Sequence, residues 1–503
     1  MTRLLVVTAL RSEHAALWGH VDGAILEHCG LGPARARDWL PRLRALNPQA
    51  VVVAGVAGGL DSSLRPGDVV VASEVRDDHG SVVVPAAAPL VAELRSTGLR
   101  VHSGPIVSCD RIVDGATARA KLAATGALAV DMESAAIVRA VGEDLGEVPV
   151  AVVRVIVDTP DRPLARLSTV SAGVLALRTL RKMGPTFGQW AELAGPRRIV
   201  LAAPRSFCAG VERAIDIVEL ALERYPHPVY VRRQIVHNAH VVESLQREGA
   251  VFVDELDEVP DGTTVIFSAH GVAPAVREEA ARRRLNVIDA TCPLVAKVHK
   301  AARRFAARGD TVLFIGHAGH DETEGTLGEA PGQTMLVQNA EEAEMIAVED
   351  PERVAFLMQT TLAVDEAEET AGVLRRRFPS IASSSTDDIC FATTNRQQAV
   401  RAIASEADLV IVLGSANSSN SLRLVEVAER CGTAAYLVDD VAEIRPEWLN
   451  GRMTVGITAG ASAPPGLVDD VIGTLRGLGP VEIIERVVTN ENVTFALPKD
   501  IAG

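Results

Sequence analysis

The stretch RRIVLAAPRSFCAGVERAI, residues 197–215, decides the reading of the fold. Ile199 to Ala203 is a short apolar run, Pro204 stops it, and a helical pattern opens just after Cys208. A strand that is apolar along its whole length is buried on both faces, as in a parallel sheet covered by helices. The same alternation runs outward in both directions. Towards the C-terminus come TTVIFSAH, DTVLFIGH, ADLVIVLGS and RMTVGITAG; towards the N-terminus, LLVVTAL, AVVVAGVAGG, GDVVVASEV and VPVAVVRVIVD. Ala/Leu/Arg-rich helical patterns separate them. The expected class is α/β throughout, and in such sheets ligands sit beyond the carboxyl ends of the strands. Cys208, His270, His317, Ser415 and Ser462 all follow apolar runs closely.

A chain of 503 residues exceeds one ordinary core, so several domains are expected. The Gly- and Pro-interrupted segment 183–198 predicts the main boundary, with a cut near residue 195. That gives a domain over 1–185, a linker over 186–197, a domain over 198–495 and a tail over 496–503. The 48% hydrophobic and 23% charged content is that of a globular chain. A net charge of −15 argues against nucleic acid as a partner, which needs a basic footprint. The first apolar run, Leu4 to Leu10, is too short for a membrane span or a signal peptide. Six scattered cysteines suit a reducing compartment, and a cytoplasmic location is expected.

No two of those cysteines form the close pair that a zinc ribbon or a thioredoxin-type site needs. Three stand in similar settings: PRSFCAGVERAI (Cys208), DATCPLVAKVH (Cys292) and TDDICFATTNRQ (Cys390). Taken singly, each is as well read as a small buried hydrophobe. Each also begins a helical pattern, where backbone N–H groups and the helix dipole favour a thiolate. Cys29, Cys109 and Cys431 show less of this and read as structural. Polar patches lie between the three: VHNAHVV (His237), SAHGV (His270), GHAGHDETEGT (His320, Glu322), QTTL (Thr360), NSSNS (Ser418, Ser419, Asn420) and TAGASAP (Ser462). Imidazoles, hydroxyls and amides with few Lys or Arg suggest a compact anion held by many hydrogen bonds.

In that order, these strings resemble the 4-hydroxy-3-methylbut-2-enyl diphosphate reductases over about 198–495. The resemblance implies three pseudo-symmetric α/β units around a [4Fe-4S] cluster held by Cys208, Cys292 and Cys390, with one iron open. It implies Glu322 as proton donor with Thr360 beside it. His237, His270, His320, Ser418, Ser419, Asn420 and Ser462 would hold the diphosphate of the substrate. Isopentenyl and dimethylallyl diphosphate would be the products, with an electron donor such as ferredoxin or flavodoxin. Ala363, after QTTL, stands where the family often has Ser.

The first third carries AVVVAGVAGGLDSSLRPGDVVV, VSCDRIV, VDMESAAIVRA and the strand-end Asp158. Glu133 can be read as a first-turn dipole partner. A carboxylate ending an apolar strand, as Asp158 does, is costly unless it serves a site. Together these resemble the nucleoside phosphorylase and methylthioadenosine/S-adenosylhomocysteine nucleosidase superfamily. By that resemblance Glu133 and Met132 would bind ribose, Asp158 would protonate the departing purine, and Glu13 would activate water. Val56 stands where GxAGG often has Ser or Thr. Adenosylhopane is one substrate the family suggests.

Two other readings remain open on the residues alone. The three cysteines could form a structural zinc site in a binding module, although such sites usually take four ligands. Alternatively, the first domain could be a non-catalytic ligand-binding partner of the reductase.

Overall fold

The computed structural model describes residues 3–113, 115–160, 168–384 and 388–502. They form two compact units. The first is Met1–Ile199 with Asp440–Val455 and Asp469–Ile483; the second is Val200–Asp439 with Gly456–Val468 and Ile484–Gly503. The first crossing lies close to the expected cut near 195. The two later stretches of the first unit differ from that expectation, which assigned 198–495 to one domain. One reason is local packing: the helix Pro465–Gly477 ends beside Ala86, whose backbone nitrogen would lie 2.9 Å from a Cβ at Gly477.

In the first unit, an eight-stranded sheet runs Ile25–His28, Leu4–Thr8, Ala50–Gly59, Ala129–Asp131, Val101–Ser108, Val69–Asp77, Gly80–Val83 among the described residues. The remaining strand, Val150–Asp158, pairs in parallel with Ala50–Gly59 and antiparallel with Val69–Asp77. Leu5, Val52, Val70 and Val152 are fully buried, as the unbroken apolar runs require. The helix Ser168–Ala191 continues through the Gly184–Pro185 pair that reads as a break in the sequence. Its buried stripe of Ala176, Leu180, Met183, Phe187 and Trp190 keeps helical spacing across it. Trp190 Nε1 donates to the carbonyl of Ala86 at 2.6 Å. Gly184 marks a close approach, since a Cβ there would collide with the carbonyl oxygen of His20.

Three smaller sheets organise the second unit. One runs Ala250–Val253, Val229–Arg232, Thr264–Phe267, Asn286–Asp289, and another Thr334–Val337, Thr311–Ile315, Val354–Met358, Ala382–Ser383; both are wholly parallel. The third runs Ala435–Val438, Leu409–Leu413, Thr454–Ala459, Arg197–Ala203, Val481–Val487. The division between the units falls inside its last three strands. In each sheet a strand comes before a cysteine that caps the next helix: Arg197–Ala203 before Cys208, Asn286–Asp289 before Cys292, and Ala382–Ser383 before Cys390.

Candidate active sites

Cys208, Cys292 and Cys390 are the N-cap residues of the helices Ala209–Arg224, Pro293–Ala307 and Phe391–Ala404. All three line one cavity of the second unit. Each cysteine also donates its backbone N–H to a carbonyl on the neighbouring strand end. Cys208 reaches Ala461 at 3.2 Å, Cys292 reaches Ala269 at 2.9 Å and Cys390 reaches Thr360 at 3.1 Å. Burial pushes the Cys292 thiol up to about 11 and the Cys390 thiol up to about 12, and nearby Cys208 adds to both. Three cysteines on one cavity, two of them with ionisation opposed by burial, are a donor set for a cationic, thiophilic group, whose charge makes them thiolates. Gly210 makes room for them: a Cβ there would lie 2.8 Å from Cys292 Sγ and 3.8 Å from Cys208 Sγ. The residues therefore fit an iron–sulfur cluster.

Glu322 lies in the first turn of Asp321–Leu327 and is 1% exposed. Thr360 follows the strand Val354–Met358 and donates to it twice, from N–H to Oε1 and from the hydroxyl to Oε2. Burial raises the carboxyl to about 7, against the pull of those two bonds. The Glu322 N–H in turn donates to His320 Nδ1 at 3.2 Å. His237 and His270 stack at 3.9 Å between ring centroids, and His320 meets both edge-on at 5.3 and 5.9 Å. Burial lowers all three imidazoles, His320 to about 4, which favours their neutral forms. Opposite them, Ser462 donates to the His237 carbonyl at 2.9 Å, and Asn420 Oδ1 accepts from Ala461 N–H at 2.9 Å. Ser418 caps the helix Ser419–Arg430 by accepting from Ser421 N–H. Among the described residues the cavity lining holds no Lys or Arg. An anion here would be held by neutral donors and helix N-termini.

The first unit has its own cavity, lined among others by Val56, Met132, Glu133, Arg119 and Asp158. Glu133 Oε1 accepts the Gly32 N–H at 2.6 Å, and burial raises its carboxyl. Fully buried Arg154 lies beneath, 2.5 Å from Asp131 and 3.7 Å from Glu133. Glu13 is also buried but does not line the cavity. It accepts from the N–H groups of Ala9, Leu10 and Val56, and burial raises its carboxyl against the opposing charge of Arg154. Asp158 is ion-paired with Arg119.

Comparison with known proteins gives two successive matches along the chain. Residues 199–476 match the family model described as LytB protein, and residues 15–181 match the Phosphorylase superfamily. The 4-hydroxy-3-methylbut-2-enyl diphosphate reductase 2 of Mycobacterium bovis is 55% identical over 312 residues, covering 61% of this chain and 95% of its own. The corresponding reductase of Acidothermus cellulolyticus is 59% identical over 308 residues, covering 61% and 90%. The chain belongs to the LytB family. A solved Plasmodium falciparum reductase of this kind superposes with a TM-score of 0.59 at 34% identity, over 61% of this chain and 97% of that one. The fold expected of the LytB region, and the phosphorylase-like α/β fold ahead of it, both stand.

Sequence reasoning missed the arginines. Arg396 is fully buried in the LytB region and donates to the carbonyls of Ser206 at 2.7 Å, Phe207 at 3.0 Å and Ala392 at 3.0 Å, and to Glu491. It ties the loop carrying Cys208 to the helix capped by Cys390. Its signal is an Arg on the apolar face of that helix, in register with Ala392, Ala399 and Val400. Arg154 gives the same signal inside the strand VAVVRVIVD. Arg119, on a weakly patterned helix, gives none.

Proposed function

We propose that the LytB region reduces (E)-4-hydroxy-3-methylbut-2-enyl diphosphate to isopentenyl and dimethylallyl diphosphate. The observation carrying this is the Glu322–Thr360 pair opening on the same cavity as three cysteines and a ring of His, Ser and Asn. The reaction breaks the allylic C–O bond, takes two electrons and two protons, and releases water. Cys208, Cys292 and Cys390 would hold a [4Fe-4S] cluster, which would supply those electrons in single steps. Glu322 keeps a proton near neutral pH because it is buried, and delivers it to the departing hydroxyl oxygen. Thr360 orients that carboxyl. His237, His270, His320, Ser418, Ser419, Asn420 and Ser462 hold the diphosphate through hydrogen bonds. The electron donor is a small carrier such as ferredoxin or flavodoxin, and the enzyme works in the cytoplasm. No described helix is long and apolar enough to cross a membrane.

An anaerobic preparation of the full chain tests this reading. It should be brown, contain iron and sulfide in equal amounts, and reduce the diphosphate with dithionite and a viologen. A colourless protein holding zinc, without turnover, rejects it in favour of the binding-module reading.

For the first unit we propose cleavage of the N-glycosidic bond of a purine nucleoside, with adenosylhopane a candidate substrate. The supporting observation is that Glu133, Met132 and Asp158 line one cavity. Glu133 and Met132 bind the ribose, Asp158 protonates the purine, and Glu13, which is held by the Val56 N–H next to the cavity lining, activates water. Asp158→Asn should abolish adenine release and leave diphosphate reduction intact. Release that persists in the variant removes Asp158 from the reaction; no release by the natural chain from any adenosyl substrate leaves this unit a non-catalytic partner.

A further inference from the structure

Asp158 closes the strand Val150–Asp158 and is 1% exposed; Arg119, on the helix Ala116–Ala123, is 3% exposed. The guanidinium pairs with Asp158 Oδ2 through Nη2, and its Nη1 donates to the Gly59 carbonyl at 3.4 Å. Both side chains line the cavity with Glu133. The guanidinium beside Asp158 favours its carboxylate form, against burial, which favours the acid. Glycosidic cleavage asks the opposite of Asp158. When the C1′–N9 bond breaks, its electron pair enters the purine, and a proton must reach a ring nitrogen for the base to leave neutral. Water supplies the oxygen that joins C1′ and gives up a proton in turn.

We propose that Arg119 is a positioning residue that holds Asp158 as the anion, so that entry of a purine is coupled to uptake of one proton from solvent. This rests on the nucleoside-cleaving reading of the first unit. The other charged groups around the cavity are engaged differently. Asp131 and Glu133 lean on Arg154 and on Ser108 and Gly32, and Glu13 on three backbone N–H groups. Arg111 lines the cavity from the segment after the strand Val101–Ser108. Gly58 and Gly59, on the strand beside Asp158, bring no charge of their own. Their lack of a side chain is what admits the pair: a Cβ on Gly58 would lie 3.3 Å from Asp158 Oδ1 and 3.6 Å from Arg119 Nη2.

The pH dependence of kcat/KM for adenine release tests this in the full chain, with methylthioadenosine, S-adenosylhomocysteine and adenosylhopane as probes. Arg119→Gln should move the limb on which activity falls with rising pH upward by about one to three units, the usual effect of an opposite charge on a carboxyl. Arg119→Lys keeps the charge and should keep the limb near its natural place. Cleavage by Arg119→Gln with an unshifted limb overturns the inference and leaves the nucleosidase reading standing. No cleavage by the natural chain overturns both. Should Arg119→Gln not fold, adenine binding to the natural chain decides. Calorimetry above the limb, in two buffers of different ionisation enthalpy, should show close to one proton taken up per site; none taken up overturns the proposal.

Discussion

Thr360 holds both carboxyl oxygens of Glu322, its N–H reaching Oε1 at 2.8 Å and its hydroxyl reaching Oε2 at 2.9 Å. Both bonds favour the carboxylate, while burial favours the acid and wins, raising the group to about 7 from an ordinary 4.5. Turnover should therefore fall as pH rises through about 7, where the proton is lost. Thr360→Val removes one of the opposing bonds, so the falling limb should move to higher pH. A limb that stays in place, read from kcat against pH, would separate Glu322 from the proton step. Glu322→Gln should lower turnover by roughly 10²–10⁴-fold, the usual range for a general acid. The same shift bears on stability. The contribution of a raised carboxyl is fully present below 4.5 and is lost as pH rises through about 7.

The cysteines divide by position. Changing Cys208, Cys292 or Cys390 to Ser should strip iron and sulfide and end reduction, because all three line the one cavity. Cys431 is exposed, and Cys29 is buried with its thiol raised to about 12. Neither should matter, and Ser at 29, 109 or 431 should leave iron content unchanged. Iron loss from Cys431→Ser with retention in Cys390→Ser would mean that the ligands are misassigned.

Gly210 offers a sharper test of the same triangle. A methyl group there would lie 2.8 Å from Cys292 Sγ, so either that side chain or the helix start must shift. Gly210→Ala should fold with an unchanged far-ultraviolet spectrum yet hold iron substoichiometrically. Full iron loading at the natural level would show that the thiols tolerate displacement.

Arg396 satisfies three carbonyls and one carboxylate while itself fully buried. Arg396→Met keeps much of the volume but removes the guanidinium donors to the Ser206 and Phe207 carbonyls, while Glu491 keeps its bond from Asn395 Nδ2. Each buried orphan costs about 1–3 kcal/mol, so the variant should unfold at markedly lower urea and release iron earlier in the transition. An unchanged midpoint would mean that water replaces the guanidinium.

The α/β class and the strands were legible because the strands are apolar along their whole length. Runs such as VVVAG and LVIVL lie wholly in the core, and nothing but burial on both faces explains them. The three cysteines and the histidines were legible because they interrupt those runs at strand ends. The continuation of the helix Ser168–Ala191 through Pro185 was not, because local propensity argues for a break there. Tertiary packing of Met183, Phe187 and Trp190 outweighs it. Nor was the pairing of Arg119 with Asp158 legible. The partners are 39 residues apart, and the helix carrying Arg119 shows no stripe to say which side faces inward.

The N–H bonds from Cys208, Cys292 and Cys390 to Ala461, Ala269 and Thr360 place each cysteine on main chain that the sheets already fix. The triangle of sulfurs is thus a consequence of strand order, complete once the three sheets have formed.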